Sequence, residues 1–177
     1  MDKELILHAG ADAFGDGTHP TTEGVLAALA AIDASQFAPR VVCDMGCGAG
    51  LLAMRAAQLF NCDVIAADIE RTAVEATREN AEKNNLAVRA VHSDGFNHPD
   101  IRACAPYDLI LMNILAEPLL SLAHDAVSVL AGGGALIMSG MLVWQQDIII
   151  EAYQSLGLEL AHRVQLGDWV TLVWQKP

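Results

Sequence analysis

From about residue 40 onward, short apolar runs alternate with longer stretches whose apolar positions recur every three or four residues. The short runs, at 41–44, 63–68, 87–92, 107–112 and 134–139, read as buried strands. Between them, 51–60, 72–84, 117–130 and 142–156 have helical spacing, with Asn84-Asn85 and Gly157 as stop signals. One more helix is expected at 22–31, capped by Thr21 or Thr22 with Glu23 in its first turn. The chain closes with strands at 158–164 and 169–174, joined by Gln165-Leu166-Gly167-Asp168, which is short enough for a hairpin. This order predicts an α/β fold: a Rossmann-like, doubly wound, mostly parallel sheet with a C-terminal antiparallel hairpin.

Composition narrows the class of protein. The 177 residues suit a single domain, 1–177, burying about 70% of the unfolded surface. Although 53% of the chain is apolar, no run reaches the roughly 18 apolar residues of a membrane span, and Met1-Asp2-Lys3-Glu4 has no basic flank. A cytoplasmic protein without membrane attachment is expected. A net charge of −12 with ten scattered basic residues excludes a general nucleic-acid binder. The acidity suits a basic protein or a cationic small molecule as partner, or serves solubility alone. Cys43, Cys47, Cys62 and Cys104 form no CxxC pair and have no His at ligand spacing, so no metal is expected and the set fits a reducing compartment.

The densest chemical signal is Asp44-Met45-Gly46-Cys47-Gly48-Ala49-Gly50, between the first strand and the following helix. A strand, a glycine turn and a helix N-terminus together hold nucleotide-like ligands, because glycine lets the backbone approach where a Cβ would collide. A dinucleotide fingerprint is G-x-G-x-x-G. Here the spacing is D-x-G-x-G-x-G, which disfavours a dinucleotide oxidoreductase and resembles motif I of S-adenosylmethionine (SAM)-dependent methyltransferases.

In open α/β sheets ligands sit beyond the carboxyl ends of the strands, so the strand-end residues are the candidates. These are Asp44, Gly46 and Gly48 after the first strand and Asp68 after the second, at the interval where an acid meets ribose hydroxyls. An Asp that merely caps the next helix is the alternative there. After the third strand, Asp94 is suited to an adenine exocyclic amine, although Ser93-Asp94-Gly95 is also an ordinary turn. After the fourth, Asn113 ends an apolar strand and is suited to orienting a nucleophile through its side-chain oxygen, or else closes a turn. Trp144, Trp169 and Trp174 read as packing residues, with Trp144 a candidate for the substrate entrance; Gly132-Gly133-Gly134 reads as a helix breaker, and His98 as a surface or turn residue.

Those residues, with Phe14-Gly15-Asp16-Gly17-Thr18-His19-Pro20-Thr21-Thr22, Asn113-Ile114-Leu115-Ala116 and Ser139-Gly140-Met141-Leu142, carry a family resemblance. From about Phe14 to its end, the chain resembles the methyltransferase domain of the bacterial ribosomal-protein L-eleven lysine methyltransferases (PrmA). The resemblance implies the class I methyltransferase fold and SAM as cofactor, with S-adenosylhomocysteine as product. By position it implies that Thr22, Gly46, Asp68 and Asn113 contact SAM and that Phe14 and Thr18 close over it. Asp16 stands where the family usually has Thr. The family's separate N-terminal recognition domain is expected to be absent, so cofactor binding transfers more directly than a ribosomal substrate.

The expected activity is methyl transfer to an amine, foremost a protein amino group. Asn113 would orient the nitrogen, and His19 is a proton-transfer candidate or a loop anchor. No aromatic residue follows Asn113, unlike the N-P-P-Y motif of amino-methylating DNA enzymes, which lowers the case for a nucleic-acid base. The alternatives are a small-molecule methyltransferase and a non-catalytic SAM-binding module that needs a partner subunit.

Overall fold

The computed structural model describes residues 5–7, 17–32 and 36–177; Phe14 and Asp16 lie outside these. Seven strands form one sheet: β1 (Val41–Met45), β2 (Asp63–Asp68), β3 (Val88–His92), β4 (Tyr107–Asn113), β5 (Leu130–Leu142), β6 (Glu159–Leu166) and β7 (Trp169–Gln175). Their order is β3-β2-β1-β4-β5-β7-β6. β1 pairs in parallel with both β2 and β4, so the chain reverses direction across the sheet between β1 and β4. β7 runs antiparallel to both of its neighbours and lies between β5 and β6. The expected C-terminal hairpin is present, tightened to the turn Gly167-Asp168 with Leu166 opposite Trp169. Gly167 takes φ +61° there, a left-handed turn conformation that matches strand twist.

Helices cover both faces, which is why the central strands read as continuous apolar runs and not as alternating ones. On one face α1 (Pro20–Ala30), α2 (Leu51–Phe60) and α3 (Arg71–Lys83) pack through Val25, Leu29, Leu52, Ala56 and Val74 onto Val42, Val64, Leu109 and Ile137. On the other, α4 (Pro99–Cys104), α5 (Ala116–Ser121), α6 (Ala123–Val129) and α7 (Gln146–Ser155) bury Ile101, Leu119, Ala126, Ile149 and Tyr153 against Cys43, Ile65, Ile110 and Met138. Successive strand residues thus serve opposite cores. Among the described residues no helix is long and apolar enough to cross a membrane.

Several expectations are corrected. α1 starts at Pro20, and its cap is His19, whose Nδ1 accepts from Thr21 N–H; Thr21 and Thr22 are buried in the first turn. The same device opens α4, unforeseen from the sequence, where His98 Nδ1 accepts from Asp100 N–H at 3.1 Å and Pro99 follows. In both, proline occupies a helix position whose N–H needs no partner. The expected helix at 117–130 is two helices, because the chain breaks at Leu122, whose side chain lies against Gly95. Gly132-Gly133-Gly134 belongs to the irregular start of β5, after α6 has ended at Val129. Trp174 is fully buried and stacks on Tyr153 at 5.7 Å, but Trp144 packs into neither core and is 78% exposed.

Candidate active site

The glycine loop turns sharply at the end of β1. Gly46 and Cys47 donate to the Ala67 carbonyl at 2.8 and 3.0 Å, which ties the loop to β2. Gly46, Gly48 and Gly50 all have positive φ. Side chains are excluded for steric reasons as well: a Cβ on Gly46 would lie 2.2 Å from Ile114 Cγ2, and one on Gly50 would lie 2.8 Å from Thr77. From behind, α3 grips the loop. Thr77 Oγ1 donates to Gly48 O and Asn80 Nδ2 to Ala49 O, each at 2.9 Å. Both side chains are buried, at positions where α3 otherwise turns Ala73, Val74 and Ala81 inward. Polar residues on a buried stripe were the available signal for this role, and sequence reasoning passed over them.

The two acids at the first two strand ends do different things. Asp68 lines the cavity: its Oδ2 accepts from Gly48 N–H and its Oδ1 from Glu70 N–H, each at 2.9 Å. Asp44 does not line it. With 1% exposure, Asp44 lies on the same strand face as Val42 and sends Oδ2 to Ala53 N–H in the first turn of α2. Its Oδ1 has no hydrogen-bond partner among the described residues. Burial, with a smaller contribution from the Asp68 charge, pushes the Asp44 carboxyl up to about 7, against the lowering effect of the Ala53 hydrogen bond. Asp94 lines the cavity and is exposed.

Across the sheet's switch point, Asn113 at the end of β4 donates through Nδ2 to Thr22 Oγ1 at 3.3 Å, joining residues 91 positions apart. Both line the cavity. Asn113 Oδ1 accepts no hydrogen bond from the described residues. The next residue, Ile114, sets its carbonyl against Gly140, where a Cβ would fall 2.1 Å from Ile114 O and φ is +95°. His19 meets Trp169 edge to face at 4.9 Å, so both form cavity wall, and Trp169 is more than the packing residue expected of it. Thr18 is exposed and outside the lining, while Phe14 lies outside the described residues.

The result is a cavity of about 550 Å³ at the carboxyl ends of β1, β2 and β4. Its walls are largely apolar, from Leu51, Leu52, Ile69, Leu115 and Leu122, with a few convergent polar groups, the usual make-up of a small-ligand site. A family model described as ribosomal protein L11 methyltransferase (PrmA) matches residues 2–177. The chain belongs to the PrmA family. A ribosomal protein L11 methyltransferase of a Caulobacter species is 41% identical over 98% of this chain and 59% of its own length. The corresponding protein of Brucella suis is 39% identical over 97% of this chain and 60% of its own. The chain therefore spans about six-tenths of the length of these curated PrmA relatives.

Among solved structures, ribosomal protein L11 methylase from Lactobacillus delbrueckii superposes with a TM-score of 0.81 at 30% identity, covering 93% of this chain and 82% of that one. The N-methyltransferase NodS of Bradyrhizobium japonicum, in complex with S-adenosylhomocysteine, gives 0.73 at 18% identity over 96% and 94% of the chains, a likeness of fold. The PrmA motifs converge on one place: the glycine loop, Thr22, Asp68, Asn113 and Gly140 all line the cavity.

Proposed function

We propose that this chain carries the catalytic domain of a SAM-dependent methyltransferase acting on a protein amino group, with a ribosomal protein among its substrates, in the cytoplasm. The cavity's chemistry fits the cofactor. Gly46 and Gly48 offer backbone without side chains, Asp68 can accept from ribose hydroxyls, Asp94 from an adenine amine, and Ile69 and Leu122 supply apolar wall. When bound, SAM supplies an electrophilic methyl group on a sulfonium.

The observation that carries the reading is the Asn113–Thr22 pair. Because Nδ2 is committed to Thr22 Oγ1, the amide is oriented and Oδ1 is the atom left to accept. An acceptor there takes an N–H of a neutral amine and leaves the nitrogen lone pair to attack in line, so the chain contributes mainly position. A lysine amine, with an ordinary pKa of about 10.4, must first lose its proton, and the apolar walls favour the neutral form. The packing of Ile114 O against Gly140 holds the backbone beside Asn113 in place.

The test is transfer of label from SAM to a fractionated host extract, with Asp68→Ala and Asn113→Ala as controls. Label is expected in a protein band; label confined to the small-molecule fraction replaces the protein substrate. Asn113→Ala should lower kcat by about tenfold or more, the cost of a lost positioning contact, while SAM affinity changes by less than about threefold. Unchanged turnover in that variant removes Asn113 from its role.

A further inference from the structure

Beside the cavity runs a second, open groove between α5 and the turn Val143–Gln145 that leads into α7, lined by Ala116, Glu117, Leu120, Trp144, Gln145 and Ile148. Ser121 lines both the groove and the cavity, so the two adjoin. Trp144 and Ile148 are 78% and 58% exposed, two of the five large apolar side chains exposed among the described residues. A third, Leu115, lines the cavity immediately before α5. Scattered apolar residues on a surface mean little, but adjacent ones in a groove that adjoins the candidate catalytic cavity mark a binding surface. The Trp144 indole makes no hydrogen bond or ring contact with the described residues.

Charge identifies the occupant. Glu117 on α5 and Asp147 and Glu151 on α7 are exposed, and neither helix nor the intervening turn carries Lys or Arg. The cation facing α7 from β6 is Arg163, already engaged by Gln146 Oε1 at 2.6 Å and Gln165 Oε1 at 3.0 Å. An open indole face in a groove that Glu117 also lines suits a Lys or Arg side chain by cation–π and Coulomb attraction, with Ile148 providing apolar contact. The chain's net charge of −12 points the same way. We propose that this groove holds the polypeptide flanking the methylated amine, as an extended segment carrying Lys or Arg next to an apolar side chain. This rests on the reading of the cavity as a protein-amine methyltransferase site, and it explains how a catalytic domain would select a chain and not a free amine.

The probe is a fluorescein-labelled peptide with a central lysine flanked by alternating leucine and arginine, titrated into the full chain with S-adenosylhomocysteine present. A matching peptide with glutamate for arginine is the control. Trp144→Ala and Glu117→Lys should each weaken binding of the basic peptide roughly fivefold or more, as expected when an interface aromatic or a matched charge is lost. In turnover, KM for that peptide should rise by a similar factor while kcat, SAM affinity and methylation of a small amine such as butylamine stay unchanged.

Equal peptide affinity in wild type and variants overturns the proposal, and so does equal binding of the glutamate peptide. A Trp144→Ala variant that changes the oligomeric state instead of peptide affinity also overturns it, by giving the groove to a second copy. If wild type binds SAM and methylates no amine, yet loses the basic peptide on Trp144→Ala, the groove stands and the catalytic reading falls.

Discussion

Replacing Asp44 by Asn should remove a specific pH dependence of stability. In the folded chain Asp44 is buried beneath the first turn of α2, with one oxygen on Ala53 N–H and the other without a partner among the described residues. Burial, then repulsion from Asp68, raises its carboxyl from an ordinary 3.8 to about 7. The folded protein therefore keeps a proton that the unfolded chain releases, and the contribution of this group falls as pH rises from about 4 to about 7, staying low above that. The gap corresponds to about 4 kcal/mol in full, of which about 2–3 kcal/mol falls between about pH 5 and pH 8. Against ordinary domain stabilities of about 5–15 kcal/mol this is measurable. Asn keeps the acceptor for Ala53 but has no charge to desolvate. Its new N–H beside the unpartnered position adds a pH-independent cost of about 1–3 kcal/mol, so the slope is the quantity to read and not the absolute value. Urea denaturation at several pH values should show Asp44→Asn gaining about 2–3 kcal/mol on wild type between about pH 5 and pH 8. Parallel stability curves for the two proteins would refute the argument.

Three further outcomes follow from the same geometry. Asp68→Ala removes the carboxylate held on Gly48 N–H and should weaken SAM binding by about 10–100-fold in calorimetry, the worth of two hydroxyl hydrogen bonds to a charged group; unchanged affinity would remove Asp68 from the ribose. Gly140→Ala places a Cβ 2.1 Å from Ile114 O at a φ of +95°, which should cost about 2–4 kcal/mol of stability in denaturant, and an unaltered midpoint would count against the close contact. Thr77→Val keeps the shape but drops the hydrogen bond to Gly48 O; a loss of about 1–2 kcal/mol is expected, together with weaker SAM binding, and a variant losing neither would show that the loop holds itself.

Much of the architecture was legible because it depends on short windows. Strand and helix periodicity located β2 and α2 to the residue, and the turn residues located the hairpin. The F-G-x-G-T-H-P-T-T, D-x-G-x-G-x-G and N-I-L-A segments are readable as one family's set, and of them Thr22, Gly46, Gly48 and Asn113 line one cavity. The break at Leu122 and the helix at Pro99–Cys104 were not legible: the first falls within an unbroken apolar pattern, and the second rests on a His–Pro cap in a segment too short for helical periodicity.

What sequence alone determined, then, was the set of elements, the ligand-binding loop and the family. What the tertiary structure decided was which side chains of that set meet. Asp44 and Asp68 are both acids near strand ends on one face of the sheet, but Asp44 pairs with Ala66, two residues short of Asp68, so the first lies under α2 and the second reaches the cavity. Thr22 reaches Asn113 and Trp169 reaches His19 only once β4 and β7 have taken their places in the sheet. Periodicity and turn chemistry are properties of a few neighbouring residues, whereas these pairings follow from burying both faces of the whole sheet at once.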